Sequence, residues 1–147
     1  MTAKEYLNQA LYLDNRINAK LEQVRSLREL AKRATSTLSD MPRDTQRNIH
    51  RMENTICKML DLENEVNSDI DRLIGLKREI MDTVNMVENP TYRMLLELRY
   101  LCFKAWDDIA ATMNYDRRYI LKVHGKALIE VDTKRHQKAQ DDGGKPT

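Results

Sequence analysis

Apolar residues return every three or four positions through most of this chain, which is the period of an amphipathic helix. The first run spans residues 3–35, with Leu7, Ala10, Ile17, Leu21, Val24, Leu27, Ala31 and Ala34 on one face and no Gly or Pro between them. The stretch from Thr35 to Pro42 reads as a turn, small polar residues followed by a proline suited to the first position of a new helix. A second run, residues 44–88, carries Ile49, Met52, Ile56, Met59, Val66, Ile70, Leu73, Ile80, Val84 and Val87 in heptad spacing. Glu63 and Lys77 fall on the same seam and weaken it locally. A heptad this long predicts a coiled-coil-like helix of about 65 Å, which needs a partner for its apolar stripe. The first helix, folded back antiparallel, is the nearest partner. At about 50 Å it is shorter, so a second subunit is expected to cover the remainder, giving a homodimer or larger assembly through residues 44–88.

Asn89-Pro90 ends the second run, because proline cannot continue the helix and Asn89 can cap the next one. Residues 92–131 then read as three short helices joined by tight turns. The first presents Leu95, Leu98 and Leu101 with Tyr92 and Met94 nearby, and the second turns Ile109, Ala110 and Met113 inward. Asn114 stands where the chain must bend, and Asn is the non-glycine residue best suited to a left-handed backbone. Asp116 is placed to cap the third helix, whose inner face is Ile120, Val123, Ala127 and Val131. The predicted organisation is therefore all-α: a long helical hairpin over 1–88, a helix-turn-helix over 89–135, and a disordered tail over 136–147, where apolar periodicity is lost.

Charge changes the picture only through its distribution. The 147 residues carry a net charge of +2. Residues 116–138 hold seven Lys and Arg against three Asp and Glu, so a local +4 sits on the third helix and its extension. Arg117, Arg118, Tyr119, Leu121, Lys122 and Lys126 lie near its start and along one side, residue types that meet bases and phosphates. His124 reads as either a phosphate contact or a plain surface residue, and Trp106 as a packing residue. Arg25, Arg28, Lys32 and Arg33 form a second basic group, interleaved with Glu22 and Glu29 as on a salt-bridged helix face. Cys57 and Cys102 stand apart from each other and from any metal-ligand spacing, and read as buried small hydrophobes in a reducing compartment. No phosphate-binding glycine loop, nucleophile-base order or metal-ligand spacing is present, so neither an enzyme nor a cofactor is expected. No signal peptide or membrane-length apolar run is read in the sequence, and the expected location is cytoplasmic.

The motif L-R-Y-L-x5-D-D-I-A-x-x-M-x-Y-x-R-R-x-I-x-x-x-H-x-K-A-L, residues 98–128, resembles region 4 of bacterial sigma factors. It resembles still more the phage and prophage proteins that carry this module, the sigma-region-4-like late-transcription regulators of the ArpU/RinA type. The overall layout, a helical N-terminal half opening with AKEYLNQ and continuing through TSTLSDMP, resembles an uncharacterised phage family over most of the chain's length. Two positions depart from the sigma pattern: Phe103 replaces a frequent glycine, and Ala105 replaces a capping Ser or Thr. The resemblance implies a third helix in the DNA major groove, with Arg117, Arg118, Leu121 and Lys122 on its base-facing side. It implies a sequence-specific transcription regulator in a bacterial host cell, with double-stranded DNA as its partner and host RNA polymerase as a second candidate. Two other functions share this layout. A small-terminase-like DNA-packaging factor also joins a helix-turn-helix to an oligomerising coil, though there the DNA-binding module usually comes first. A coiled-coil adaptor or inhibitor would use the same helices for protein contacts alone.

Overall fold

The computed structural model describes residues 1–38 and 45–143. Its elements are α1 (Ala3–Leu38), α2 (Thr45–Asn85), α3 (Pro90–Leu96), a π-helical segment (Glu97–Leu101), α4 (Trp106–Met113) and α5 (Arg117–Gly143). The fold is all-α, with no strand among the described residues. Two compact units divide it: residues 1–12 with 74–147, and residues 13–73. The break at Asn89-Pro90 separates helices, whereas the units divide within α1 and α2.

Local chemistry explains where the helices begin. Thr2 and Glu5 form a reciprocal capping box, each side chain accepting from the other's backbone N–H at 3.2 and 3.1 Å. Asn89 Oδ1 accepts from the N–H groups of Thr91 and Tyr92 at 2.9 and 3.4 Å, with Pro90 at the first helical position. The end of α1 differs from the expected turn: helix continues through Leu38, and Ser39–Pro42 lie outside the described residues. The tail also differs. Residues 136–143, expected to be disordered, extend α5, because Gln137, Lys138, Ala139 and Gln140 favour helix without needing an apolar stripe. Residues 144–147 lie outside the described residues.

In the 13–73 unit, α1 and α2 run antiparallel. Lys20 meets Asp69 at 2.6 Å and Glu65 at 3.5 Å, while Arg28 meets Glu63 at 3.3 Å, so one index rises as the other falls. Leu13, Ile17, Val24 and Val66 are buried here. Asp69 is buried too, and the Lys20 ammonium that donates to it holds its carboxyl below the usual carboxylate range. Glu63 thus supports the hairpin from the seam's edge. Arg28 of the basic group pairs across to α2, not along its own helix. Leu21, Ile49 and Ile70, read as seam residues, are exposed instead, at 43%, 43% and 37%. Cys57 is also exposed, on the outer side of α2.

The other unit joins the helix-turn-helix to the start of α1 and the end of α2. Its buried residues include Leu7 and Ala10 of α1, Ile80 and Val84 of α2, Val87, Leu95, Leu96 and Tyr100, and Ile120, Ala127 and Val131 of α5. Polar contacts fasten the same pieces. Tyr6 and Thr83 hydroxyls lie 3.5 Å apart, and the Arg135 guanidinium covers the Tyr6 ring at 4.1 Å. Lys134 meets Glu88 at 3.2 Å, and the Glu88 N–H donates to Glu130 at 3.0 Å. Lys77, expected to weaken a seam, does the reverse. Its ammonium donates to the Leu101 carbonyl at 3.2 Å and sits 4.5 Å from the Phe103 ring centroid, fixing the turn before α4 to α2.

Two outcomes follow. Lys77→Ala removes a charge-assisted hydrogen bond and a cation–π contact and is expected to cost about 1–3 kcal/mol, read as a lower urea midpoint with unchanged slope. Residues 90–143 expressed alone lack the surfaces that α1 and α2 supply. They are expected to be helical by circular dichroism but to melt without a sharp transition. A cooperative melt matching the full chain would show that these helices carry a sufficient core of their own.

Candidate nucleic-acid interface

The helix-turn-helix core is Leu95, Ile109, Ala110, Ile120 and Val123, with Tyr92, Leu98, Trp106 and Met113 packed against it. The first helix departs from the expected face. Leu96 and Tyr100 are buried, Leu98 and Leu101 are half-buried, and Met94 is exposed. The cause is the π-helical segment: the Cys102 N–H donates to the carbonyl of Glu97, five residues back, at 3.0 Å. The widened turn shifts the inward face, so Tyr100 points in where Leu101 was expected. Cys102 lies exposed beyond it. Phe103 follows with φ of 57°, the left-handed backbone that a glycine at this position would adopt without strain.

The turn between α4 and α5 matches its sequence. Asn114 adopts φ 59° and ψ 38°, and the Tyr115 N–H returns to the Ala110 carbonyl at 3.0 Å, closing a Schellman motif. Asp116 Oδ1 accepts from the Tyr119 N–H at 2.7 Å and caps α5. Ala105 provides no side-chain cap to α4.

His124 is a buried hub, not a surface residue. Its Nε2 lies 2.6 Å from the Tyr100 hydroxyl, and the Trp106 ring meets it edge-on at 4.6 Å between centroids. Arg99 covers the other ring, 4.5 Å from the Trp106 centroid. Burial, helped by Lys4 and Arg99, pushes the His124 pKa down to about 4, so the imidazole is neutral at pH 7. Burial also raises Tyr100 to about 12, against the pull of Arg99. The sequence signal missed here was spacing: His124 follows Ile120 by four and Val123 by one, inside the buried stripe.

The face opposite that stripe holds the predicted contact residues. Successive residues turn by about 100°, which places Arg118, Leu121, Lys122 and Gly125 on one outward strip, with Lys126 at its edge. All five are exposed, Leu121 at 43%. Arg118, Lys122 and Lys126 have no ion pair among the described residues. Arg117 lies to one flank, 3.7 Å from Asp107 in the first turn of α4, a solvent-exposed pair. Tyr119 lies to the other flank, its ring 4.8 Å from that of Tyr115. The structure thus brings Arg118, Leu121, Lys122 and Lys126 together and sets Arg117 and Tyr119 apart on either side. Asp107 and Asp108 make the adjoining first turn of α4 acidic. Among the described residues, no helix is long and apolar enough to cross a membrane.

The His124 shift has a definite sign. The folded pKa lies below the unfolded value of 6.5, so the unfolded chain binds the extra proton first. This contribution to stability is complete above pH 6.5 and is lost as pH falls toward 4. His124→Gln is expected to lower the melting temperature at pH 7 and to flatten its decline between pH 6.5 and 4. An unchanged decline would assign the acid sensitivity to other groups.

No protein-family model matches the chain, and no curated protein or solved structure matches it either.

Proposed function

We propose that this protein is a sequence-specific DNA-binding regulator of phage or prophage transcription that places α5 in the major groove. One observation carries the reading. Arg118, Leu121, Lys122 and Lys126 form an outward cationic strip, with no ion pair among the described residues, on the second helix of a capped helix-turn-helix. The opposite face of that helix is held by a buried core and by the Tyr100–His124 contact. A rigid helix with one free basic face fits what groove recognition needs: arginine for guanine, an apolar side chain for the thymine methyl, lysine for phosphate. Arg117, tied toward Asp107, and Tyr119, against Tyr115, would steady the helix start and meet the flanking backbone. Assembly through residues 44–88 belongs to the same reading. Ile49, Leu60 and Ile70 are exposed on α2, and a second copy covering them would present two α5 helices to one duplex. Host RNA polymerase is a further partner in this reading.

Arg117→Ala with Arg118→Ala is expected to weaken specific binding by about 1–3 kcal/mol for each side chain that reads a base. Lys126→Ala is expected to weaken all sequences alike and to reduce the salt slope by about 0.9. Gel-shift titration on a genomic fragment library measures both. A double variant that selects the same fragments with the same affinity would rule out the recognition role and favour a protein-interaction function.

A further inference from the structure

Gly125 stands in the middle of the outward face of α5, and nothing among the described residues accounts for a glycine there. It is exposed, and a Cβ added to it would meet no atom within 4 Å. Its φ is not positive, so no left-handed turn requires it. In a helix interior, glycine is less favourable than alanine through its backbone entropy alone. A bare backbone at this point therefore weakens the helix without serving its packing.

Its neighbours indicate what the gap admits. Lys122 lies one turn before it and Lys126 immediately after, both exposed and with no ion pair among the described residues. Gly125 is seven residues beyond Arg118, an axial distance of about 10 Å. In helix-turn-helix docking the N-terminal residues of the recognition helix contact base edges. If Arg118 takes that place, Gly125 lies two turns farther on, where the helix meets a flanking sugar-phosphate strand as it leaves the groove.

Building on the DNA-binding reading above, we propose that Gly125 is the position where one phosphodiester strand approaches the α5 backbone more closely than any side chain would allow, with Lys122 and Lys126 neutralising its charge. The residue adds no hydrogen-bonding side chain and reads no base. It sets the depth at which α5 lies, and so the reach of Arg118 and Lys122.

Gly125→Ala in the full-length chain tests this, with Gly75→Ala as the control. Gly75 is likewise exposed in a helix, on α2, with no atom within 4 Å of an added Cβ. Both changes are expected to raise the melting temperature by about 3 °C. Binding is measured by fluorescence anisotropy on a duplex recovered by wild-type protein from a random-sequence pool, and molar mass by light scattering. Gly125→Ala is expected to weaken binding about tenfold despite its higher stability and at unchanged molar mass, with Gly75→Ala matching only the gain in stability. Unchanged or tighter binding by Gly125→Ala would overturn the close approach while leaving the DNA-binding reading intact. A loss of molar mass with Gly125→Ala would overturn it in favour of a protein helix seated between Leu121 and Ile129, both exposed on the same ridge. Failure of the wild-type protein to recover any duplex would overturn the DNA-binding reading and this proposal together.

Discussion

The inner stripe of α5 has to be covered along more of its length than α3 and α4 can provide. Ile120 and Val123 pack into the helix-turn-helix core, but Ala127 and Val131 are buried as well, one and two turns further on. Two helices as short as α3 and α4 have too little apolar surface to hide such a stripe. The start of α1 and the end of α2 belong to the same compact unit: Tyr6 meets Arg135 of the α5 extension, Glu88 meets Lys134 and Glu130, and Thr83 meets Tyr6. The segments at the two ends of the hairpin thereby become part of the helix-turn-helix scaffold.

Rigidity on one side leaves the other side free to act. The neutral His124 occupies the buried stripe without adding a charge, and its hydrogen bond with Tyr100 ties α5 to the segment before α4. Lys77 fixes the next turn from α2, and the Asn114 and Asp116 caps set where α4 stops and α5 starts. With orientation determined from behind, Arg118, Lys122 and Lys126 need no structural partner. They can direct charge outward without loosening the fold. The first turn of α4 beside them is acidic, carrying Asp107 and Asp108.

Some of this organisation was legible locally. Caps act over three or four residues, so Asn89, Asn114 and Asp116 could be identified from their neighbours alone. The buried positions Ile109, Ile120, Val123, Ala127 and Val131 followed from helical period, because one wide apolar stripe has only one way to face inward. Other positions depended on partners distant in the chain. Leu96 and Tyr100 are buried because a π-helical turn rotates the helix face, and that widening has no simple signature in residue type. Lys77 looked like a flaw in a heptad until Leu101 and Phe103 were brought beneath its ammonium. Cys57 looked like a small hydrophobe suited to the interior, yet it faces solvent from α2.

The sequence by itself determined an all-helical chain, the helix boundaries set by proline and caps, and the residue types on the outer face of α5. These are consequences of backbone preference and period, which act between near neighbours. Only the tertiary structure decided that His124 is buried and neutral, that Arg117 is drawn toward Asp107, and that the first twelve residues share a compact unit with the helix-turn-helix. Each of those depends on desolvation or on a contact across the fold. Neither exists until segments far apart in the chain have packed.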